Sequence, residues 1–167
     1  MPYKIREIPP VCLPIALFRL LSGKLRLLQD YRGETLEVSD GSYFRIFRNI
    51  ATVPPEPGPD PCVFIVSFKF SRLSHKANKL VSLIPMLLIA GFPGFVQKMY
   101  GVNQDNGYWQ GMYQWKTEAH LARYKHSFVF RMMNRRALPD TLHSTILPGQ
   151  QLIDYVKKQL RNESYSM

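Results

Sequence analysis

Residues 91–115, GFPGFVQKMYGVNQDNGYWQGMYQW, decide the fold of this chain. Gly91 to Gly94 predicts a tight turn, and Phe95 to Val102 alternates in the manner of a strand. Asn103 to Gly107 is a polar loop that ends in a residue suited to positive φ. Tyr108 to Trp115, which is rich in aromatic residues, predicts the strand that pairs with the first. The stretch is therefore a β-hairpin entered through a turn.

The segments on either side of this hairpin predict further elements in a definite order. These are a strand at Val63 to Phe70, a helix from Ser74 to about Ile89, the hairpin, a helix from Thr117 to about Asn134, a strand at Leu138 to Leu147 and a helix at Gln150 to Leu160. Ser74 and Thr117 suit helix N-caps, and Pro85 is expected to kink or shorten the first helix. The order β-α-β-β-α-β is the ferredoxin-like arrangement, an α+β fold. Its sheet has one face bare of helices, and the apolar strands predict that another sheet covers that face.

A proline-rich segment divides the chain. Five prolines fall within residues 54–61, which excludes a helix or a central strand and predicts a stiff linker. The predicted organisation is an extension at 1–53, the linker at 54–61, a ferredoxin-like domain at 62–160 and a flexible tail at 161–167. Within the extension, Pro14 to Gln29 predicts a basic amphipathic helix with a kink at Gly23, and Thr35 to Thr52 predicts a β-hairpin.

Positive charge dominates the composition. The chain carries 22 Lys and Arg against 12 Asp and Glu, a formal net charge of +10, which attracts anionic ligands, acidic membranes or nucleic acid. The basic residues are scattered and match no zinc-finger, helix-turn-helix or RNP pattern, so nucleic-acid binding is not predicted. The basic helix could contact a membrane surface, but docking on its own domain or on a partner subunit is favoured.

Several patterns limit the location and chemistry of the protein. Cys12 and Cys62 lie in apolar surroundings and are predicted to be buried thiols, without a disulfide. The start of the sequence has no signal-peptide pattern, so a cytoplasmic protein is expected. No apolar run is long enough to predict a transmembrane helix. A phosphate-binding loop and a dinucleotide fingerprint are both missing, so no cofactor is predicted.

Three segments carry a family resemblance: a Pro-Gly-Phe turn within Gly91 to Tyr100, a Gly-x-Tyr-x-aromatic strand within Gly107 to Trp115, and an acidic-start helix from Thr117 to Tyr124. They resemble the YdhR-type monooxygenases of the dimeric α+β barrel superfamily, over about residues 62–157. The resemblance implies a homodimer that packs two bare sheet faces together, and a small-molecule cavity in each protomer. Such families include cofactor-independent oxygenases of polycyclic phenols, haem-degrading enzymes, cyclases and dehydratases.

Aromatic residues and one histidine are the candidates for the site. Strand alternation puts Trp109, Gly111, Tyr113 and Trp115 on one face, where Gly111 either opens room for a flat ligand or marks a bulge. The predicted catalytic residues are His126, Tyr124 and Tyr100, and the predicted substrate-binding residues are Trp109, Tyr113, Trp115 and Phe128. These aromatics are equally compatible with a plain hydrophobic core. His120 and His126 are six residues apart on a helix, a spacing that argues against a shared metal ion.

Two classes of function follow. The first is a small-molecule enzyme: a cofactor-independent monooxygenase-like protein that acts on an apolar or aromatic substrate, which in one version is also anionic. A cyclase or dehydratase of the same fold is the alternative within this class. The second is a non-catalytic module that binds haem or a lipid and uses the basic helix to contact a membrane or a partner.

Overall fold

The computed structural model describes residues 8–70 and 73–160. The predicted tail at 161–167 lies outside the described residues. The elements, in chain order, are α1 (Pro9–Leu21), β1 (Leu25–Leu28), β2 (Thr35–Glu37), β3 (Tyr43–Thr52), β4 (Cys62–Phe68), α2 (His75–Val81), α3 (Leu83–Ala90), β5 (Phe95–Val102), β6 (Trp109–Trp115), α4 (Glu118–Lys125), α5 (Phe128–Arg136), β7 (His143–Pro148) and α6 (Leu152–Gln159).

One antiparallel sheet contains all seven described strands. Its order is β1-β3-β5-β6-β4-β7. The short strands β1 and β2 pair with different parts of β3, β1 with its C-terminal part and β2 with its N-terminal part. The run β7-β4-β6-β5 places the first strand of the domain between the third and the fourth, which is the ferredoxin-like order. The predicted hairpin pairs Phe95 with Trp115 and Val102 with Trp109. The α+β fold predicted from the sequence is thus confirmed.

The N-terminal extension adds strands to this sheet. The predicted hairpin forms as β2 and β3, and β3 pairs with β5 from Arg45↔Val102 to Ala51↔Gln97. The helix prediction for Pro14 to Gln29 is wrong in its second half, because α1 ends at Leu21 and Leu25–Leu28 pairs with β3. Gly23 takes a φ of 72°, a left-handed conformation that terminates the helix.

Two predicted helices are each divided into two. The first breaks at Ser82. Pro85 has no amide hydrogen to donate to the carbonyl four residues earlier, so it occupies the first turn of a new helix, where no such bond is needed. The second breaks at Ser127, whose hydroxyl accepts from the Phe130 amide and caps α5. The predicted caps are confirmed, because Ser74 accepts from the Ala77 amide and Thr117 from the His120 amide.

The two faces of the sheet are buried in different ways. Helices α1, α3, α4 and α5 pack on one face in an extensive core that includes the buried thiols Cys12 and Cys62. On the opposite face, Leu152 and Val156 of α6 form a buried cluster with Met99 and Met112, so α6 covers part of the face that was predicted to lie against another sheet. The rest of this face is a groove of about 490 Å³ between α6, β7 and the β2–β3 turn.

The first helix docks on its own domain. Cys12 and Ala16 of α1 are fully buried, and Arg19 Nη1 donates to the Ala90 carbonyl at the end of α3 over 2.8 Å. Among residues 8–70 and 73–160, no helix has the length and apolar character needed to cross a bilayer.

Candidate active site

A small cavity lies between the sheet and helices α3 and α5. Its volume, taken as the space that the centre of a water molecule can occupy, is about 30 Å³. This is enough room for one or two waters. Its wall is almost entirely apolar and aromatic. The lining residues are Phe68, Phe70, Ser82, Pro85, Lys98, Tyr100, Trp109, Gln110, Gly111, Tyr113, Met133 and Arg136.

Lys98 is a charged residue of the sheet, and its side chain lines this cavity. It lies in the middle of β5 and is only 3% exposed. Its Nζ lies 4.1 Å from the centroid of the Tyr100 ring and 4.3 Å from that of Tyr113. In the part of the chain that the structure describes, Nζ has no hydrogen-bond partner. The amine is therefore held between two ring faces at the cavity wall.

Burial shifts the pKa of this lysine. Loss of hydration lowers the pKa of Lys98 well below that of an exposed lysine, and the positive charge of Arg48 lowers it further. The two ring faces favour the charged form and act against this shift. A lysine with a lowered pKa holds a larger fraction of neutral amine, which is a base and a nucleophile.

The two rings that flank the amine each carry a buried hydroxyl. The Tyr100 hydroxyl is buried without a hydrogen-bond partner among the described residues, and the Tyr113 hydroxyl donates to Met133 Sδ, at 3.8 Å. Burial raises the pKa of Tyr100 and of Tyr113 well above that of a free phenol, and in each case a neighbouring tyrosine adds to the effect. Both groups are thus neutral phenols, and the Tyr100 hydroxyl can donate to a ligand oxygen.

Gly111 provides space, but the protein uses that space itself. A Cβ at this position would approach a ring carbon of Tyr113 to 2.8 Å. The hairpin register is irregular between Phe95 and Gln97 and regular at Gly111, so Gly111 does not mark a bulge. Its missing side chain lets the Tyr113 ring lie over the sheet, next to the Lys98 amine.

The predicted site residues fall into three groups. Tyr100, Trp109 and Tyr113 line the cavity. Trp115 and Tyr124 do meet, stacked with centroids 5.0 Å apart, but both are fully buried and neither lines the cavity. His126 is exposed at the end of α4, and Phe128 is 48% exposed. The structure does not bring these last two residues to the cavity.

The sequence analysis missed Lys98 and His75. Lys98 could have been found, because alternation along β5 places it on the same face as Tyr100 within a strand that is buried throughout. His75 Nδ1 accepts from the Trp109 indole over 3.1 Å and its ring stacks on the indole. No local pattern links His75 to Trp109, which is 34 residues away in sequence.

The arrangement favours proton transfer in an apolar setting. A neutral amine can accept a proton from a weakly acidic C–H or O–H group, and a phenol can donate to the oxygen that becomes negative. Among residues 8–70 and 73–160, no three His, Cys, Asp or Glu side chains are grouped so that they could hold a metal ion.

The sequence matches no protein-family model and no curated protein. Several solved structures are similar in fold, among them the following three. A ferredoxin-fold protein related to antibiotic biosynthesis monooxygenases, from Listeria monocytogenes, has 14% identity and a TM-score of 0.52, covering 81% of this chain and 88% of its own. A monooxygenase-like protein from Listeria innocua has 10% identity and a TM-score of 0.52, covering 81% and 86%.

The third is a haem-degrading enzyme from Listeria monocytogenes, with 11% identity, a TM-score of 0.50 and coverage of 81% of this chain and 92% of its own. At such identities the likeness establishes the fold alone. The chain therefore has the ferredoxin-like α+β fold of proteins related to antibiotic biosynthesis monooxygenases.

Proposed function

We propose that this protein is a cofactor-independent, monooxygenase-like enzyme of the YdhR type, in which Lys98 removes a proton from an apolar or aromatic substrate. The observation that carries the proposal is the Lys98 amine, buried between two tyrosine rings and without a hydrogen-bond partner in the described residues. A ligand that accepts or supplies a proton in the cavity would meet an amine that makes no hydrogen bond to the described part of the protein.

The proposed reaction draws all its electrons from the substrate. A methylene flanked by aromatic rings loses a proton to Lys98, and the resulting carbanion is oxidised by dioxygen. One oxygen atom becomes the carbonyl oxygen of the product ketone, and the other leaves as water with the two hydrogens of the methylene. Tyr100 donates a hydrogen bond to the substrate oxygen that shares the negative charge, and Trp109 and Tyr113 contact the ring. A cyclase or dehydratase would share the proton-removal step but consume no dioxygen.

Entry of an aromatic ring requires side chains to move, since about 30 Å³ accommodates only one or two waters. Met133 and Phe70 are the lining residues best suited to this. Met133 is unbranched and adopts many rotamers, and Phe70 is half-buried just beyond the end of β4. In this proposal His126 stays outside the chemistry because it is exposed, and Tyr124 supports Tyr113 from behind: the Tyr113 and Tyr124 ring centroids are 5.7 Å apart.

The test is dioxygen uptake with anthrone, a compound whose methylene group lies between two aromatic rings. We expect one dioxygen consumed per anthrone oxidised to anthraquinone, and a fall in rate of about 10²–10⁴ in Lys98→Met, the usual contribution of a general base. Lys158→Met, at an exposed position on α6, is the matched control and should keep the rate. A full rate in Lys98→Met would remove Lys98 from the mechanism, and no uptake by the natural chain would contradict the oxygenase proposal for this substrate class.

We further propose that the protein is a homodimer in which a second copy covers the groove of about 490 Å³ on the sheet face opposite the cavity. Thr145 of the edge strand β7 is exposed and lines that groove. Light scattering after size exclusion should give twice the chain mass, and Thr145→Arg should reduce it to one chain because the new charge would be desolvated at the interface. Ser144→Arg, on the other side of the same strand, should leave the dimer intact. A monomeric natural chain would refute the proposal.

A further inference from the structure

A second groove opens beside the cavity, between the strands of the N-terminal extension and the α2–α3 junction. Its volume is about 380 Å³. Its wall combines apolar residues with basic and polar ones, and no Asp or Glu is among the residues that line it. Those residues are Leu27, Leu28, Arg32, Phe47, Arg48, Asn49, Lys79 and Leu83.

Three cations converge on this groove without a carboxylate to balance them. Arg32 Nη1 donates to Gln29 Oε1, and Arg48 donates to the Ser82 hydroxyl and the Lys79 carbonyl, at 2.8 and 2.9 Å. Within residues 8–70 and 73–160, no ion pair involves Arg32, Arg48 or Lys79. Burial lowers the pKa of Arg48; Tyr100 acts against this shift, and the positive charge of Arg32 adds to it. A bound anion would offset the like charges of Arg32 and Arg48.

The groove and the cavity share a thin wall. Arg48 Cζ lies 5.3 Å from the centroid of the Tyr100 ring, the same ring that the Lys98 amine approaches to 4.1 Å. Phe47, which lines the groove, contacts Tyr100 and Trp109 of the cavity, with centroid separations of 5.9 and 5.2 Å. An arginine of the groove and the amine of the cavity are therefore both close to the same aromatic ring.

From this juxtaposition we propose that the groove binds the carboxylate of an aromatic acid, and that this acid is the substrate whose ring system reaches Lys98. Planar guanidinium groups bind carboxylates through paired hydrogen bonds, and Phe47, Leu28 and Leu83 provide an apolar surface for the adjoining ring. The identification of the bound acid as substrate rests on the proposed function. The binding of an aromatic anion in the groove does not.

The binding test is calorimetric titration with 2-naphthoate and with its neutral analogue 2-naphthamide. The natural chain should bind naphthoate at least about tenfold more tightly, a difference of about 1.4 kcal/mol, and more weakly in high salt. The double variant Arg32→Gln/Lys79→Gln should weaken naphthoate binding by at least about tenfold and leave naphthamide unchanged. The control Lys157→Gln/Lys158→Gln makes the same charge change on α6 and should leave both affinities unchanged.

Equal affinities for the acid and the amide, undetectable naphthoate binding, or equal losses in the two double variants would overturn the anion site.

The link to the substrate is tested separately, with anthrone that carries a ring carboxylate. Its KM should be at least about tenfold below that of anthrone, and Arg32→Gln/Lys79→Gln should abolish that difference in KM. Equal KM values would overturn the substrate assignment. If naphthoate binds as expected but no dioxygen is consumed, the groove stands and the oxygenase proposal fails.

Discussion

The Lys98→Met variant is expected to be more stable than the natural chain at pH 7, by ~1–3 kcal/mol, the usual penalty for a buried polar group without a partner. Methionine is unbranched like lysine, lacks only the terminal position of the amine, and brings no charge into the apolar wall. Lys98 is 3% exposed and its pKa is lowered chiefly by desolvation. Urea unfolding followed by tryptophan fluorescence measures the difference.

The pH dependence of this stability identifies its cause. Because the pKa of Lys98 is lower in the folded chain than its unfolded value of about 10.4, the unfolded state binds more protons between the two values. The free energy of unfolding therefore rises as pH increases from the folded-state pKa of Lys98 towards about 10. The buried phenols act in the opposite direction: the pKa of Tyr100 and of Tyr113 is raised, so the unfolded state ionises first and stability falls above about pH 10.

Lys98→Met should lose the rise below about pH 10 and keep the fall above it. Lys158→Met, which removes an exposed amine, should keep both parts of the curve and change stability by no more than ~0.5 kcal/mol. A Lys98→Met variant that is less stable than the natural chain, or that retains the rise, would mean that the amine is satisfied and solvated. The proposal for Lys98 as a base would then lose its physical basis.

A gain in stability on removing Lys98 would also bear on function. A buried amine that weakens the fold is expected where activity requires it, because functional groups are often kept at the expense of stability. The same variant that is more stable should then be the one that loses dioxygen uptake. These two measurements are independent, and only their combination distinguishes a catalytic lysine from a poorly packed one.

The parts of the fold that could be predicted are those whose signal is local. The turn at Gly91–Gly94, the alternation in β5 and β6 and the caps at Ser74 and Thr117 are each contained within a few residues. The ferredoxin-like order follows from the sequence of such elements along the chain. Non-local pairing is what local signals miss: Leu25–Leu28 continues a helical pattern but becomes a strand because β3 provides its partner.

The candidate site was predictable to the same limited degree. Alternation correctly grouped Trp109 with Tyr113, but only the tertiary structure shows that the cavity ends before Trp115. The groove of the further proposal combines Arg32, Arg48 and Lys79 from three segments of the chain. No spacing rule unites such residues, since sheet pairing and the break between α2 and α3 bring them together.

Trp115→Ala is expected to lower the free energy of unfolding by ~3–5 kcal/mol, as for other buried tryptophans. Its indole is fully buried, stacks on Tyr124 and meets Phe92 and Phe95 edge-on, at 6.4 and 6.1 Å between centroids. The cavity left behind cannot be refilled by these rigid rings. The fall in Tm should be roughly 6 to 20 °C for a chain of this size, measured by calorimetry.

His126→Ala is the comparison, since sequence reasoning placed both residues in the site. His126 is exposed, so its replacement should change stability by no more than ~0.5 kcal/mol. If Trp115 lined a ligand site instead of the core, Trp115→Ala would cost little stability and would weaken ligand binding, which would contradict the role assigned here. A large loss for Trp115 and a negligible one for His126 would separate a core residue from a surface residue and leave Lys98, Tyr100 and Tyr113 as the groups available for chemistry.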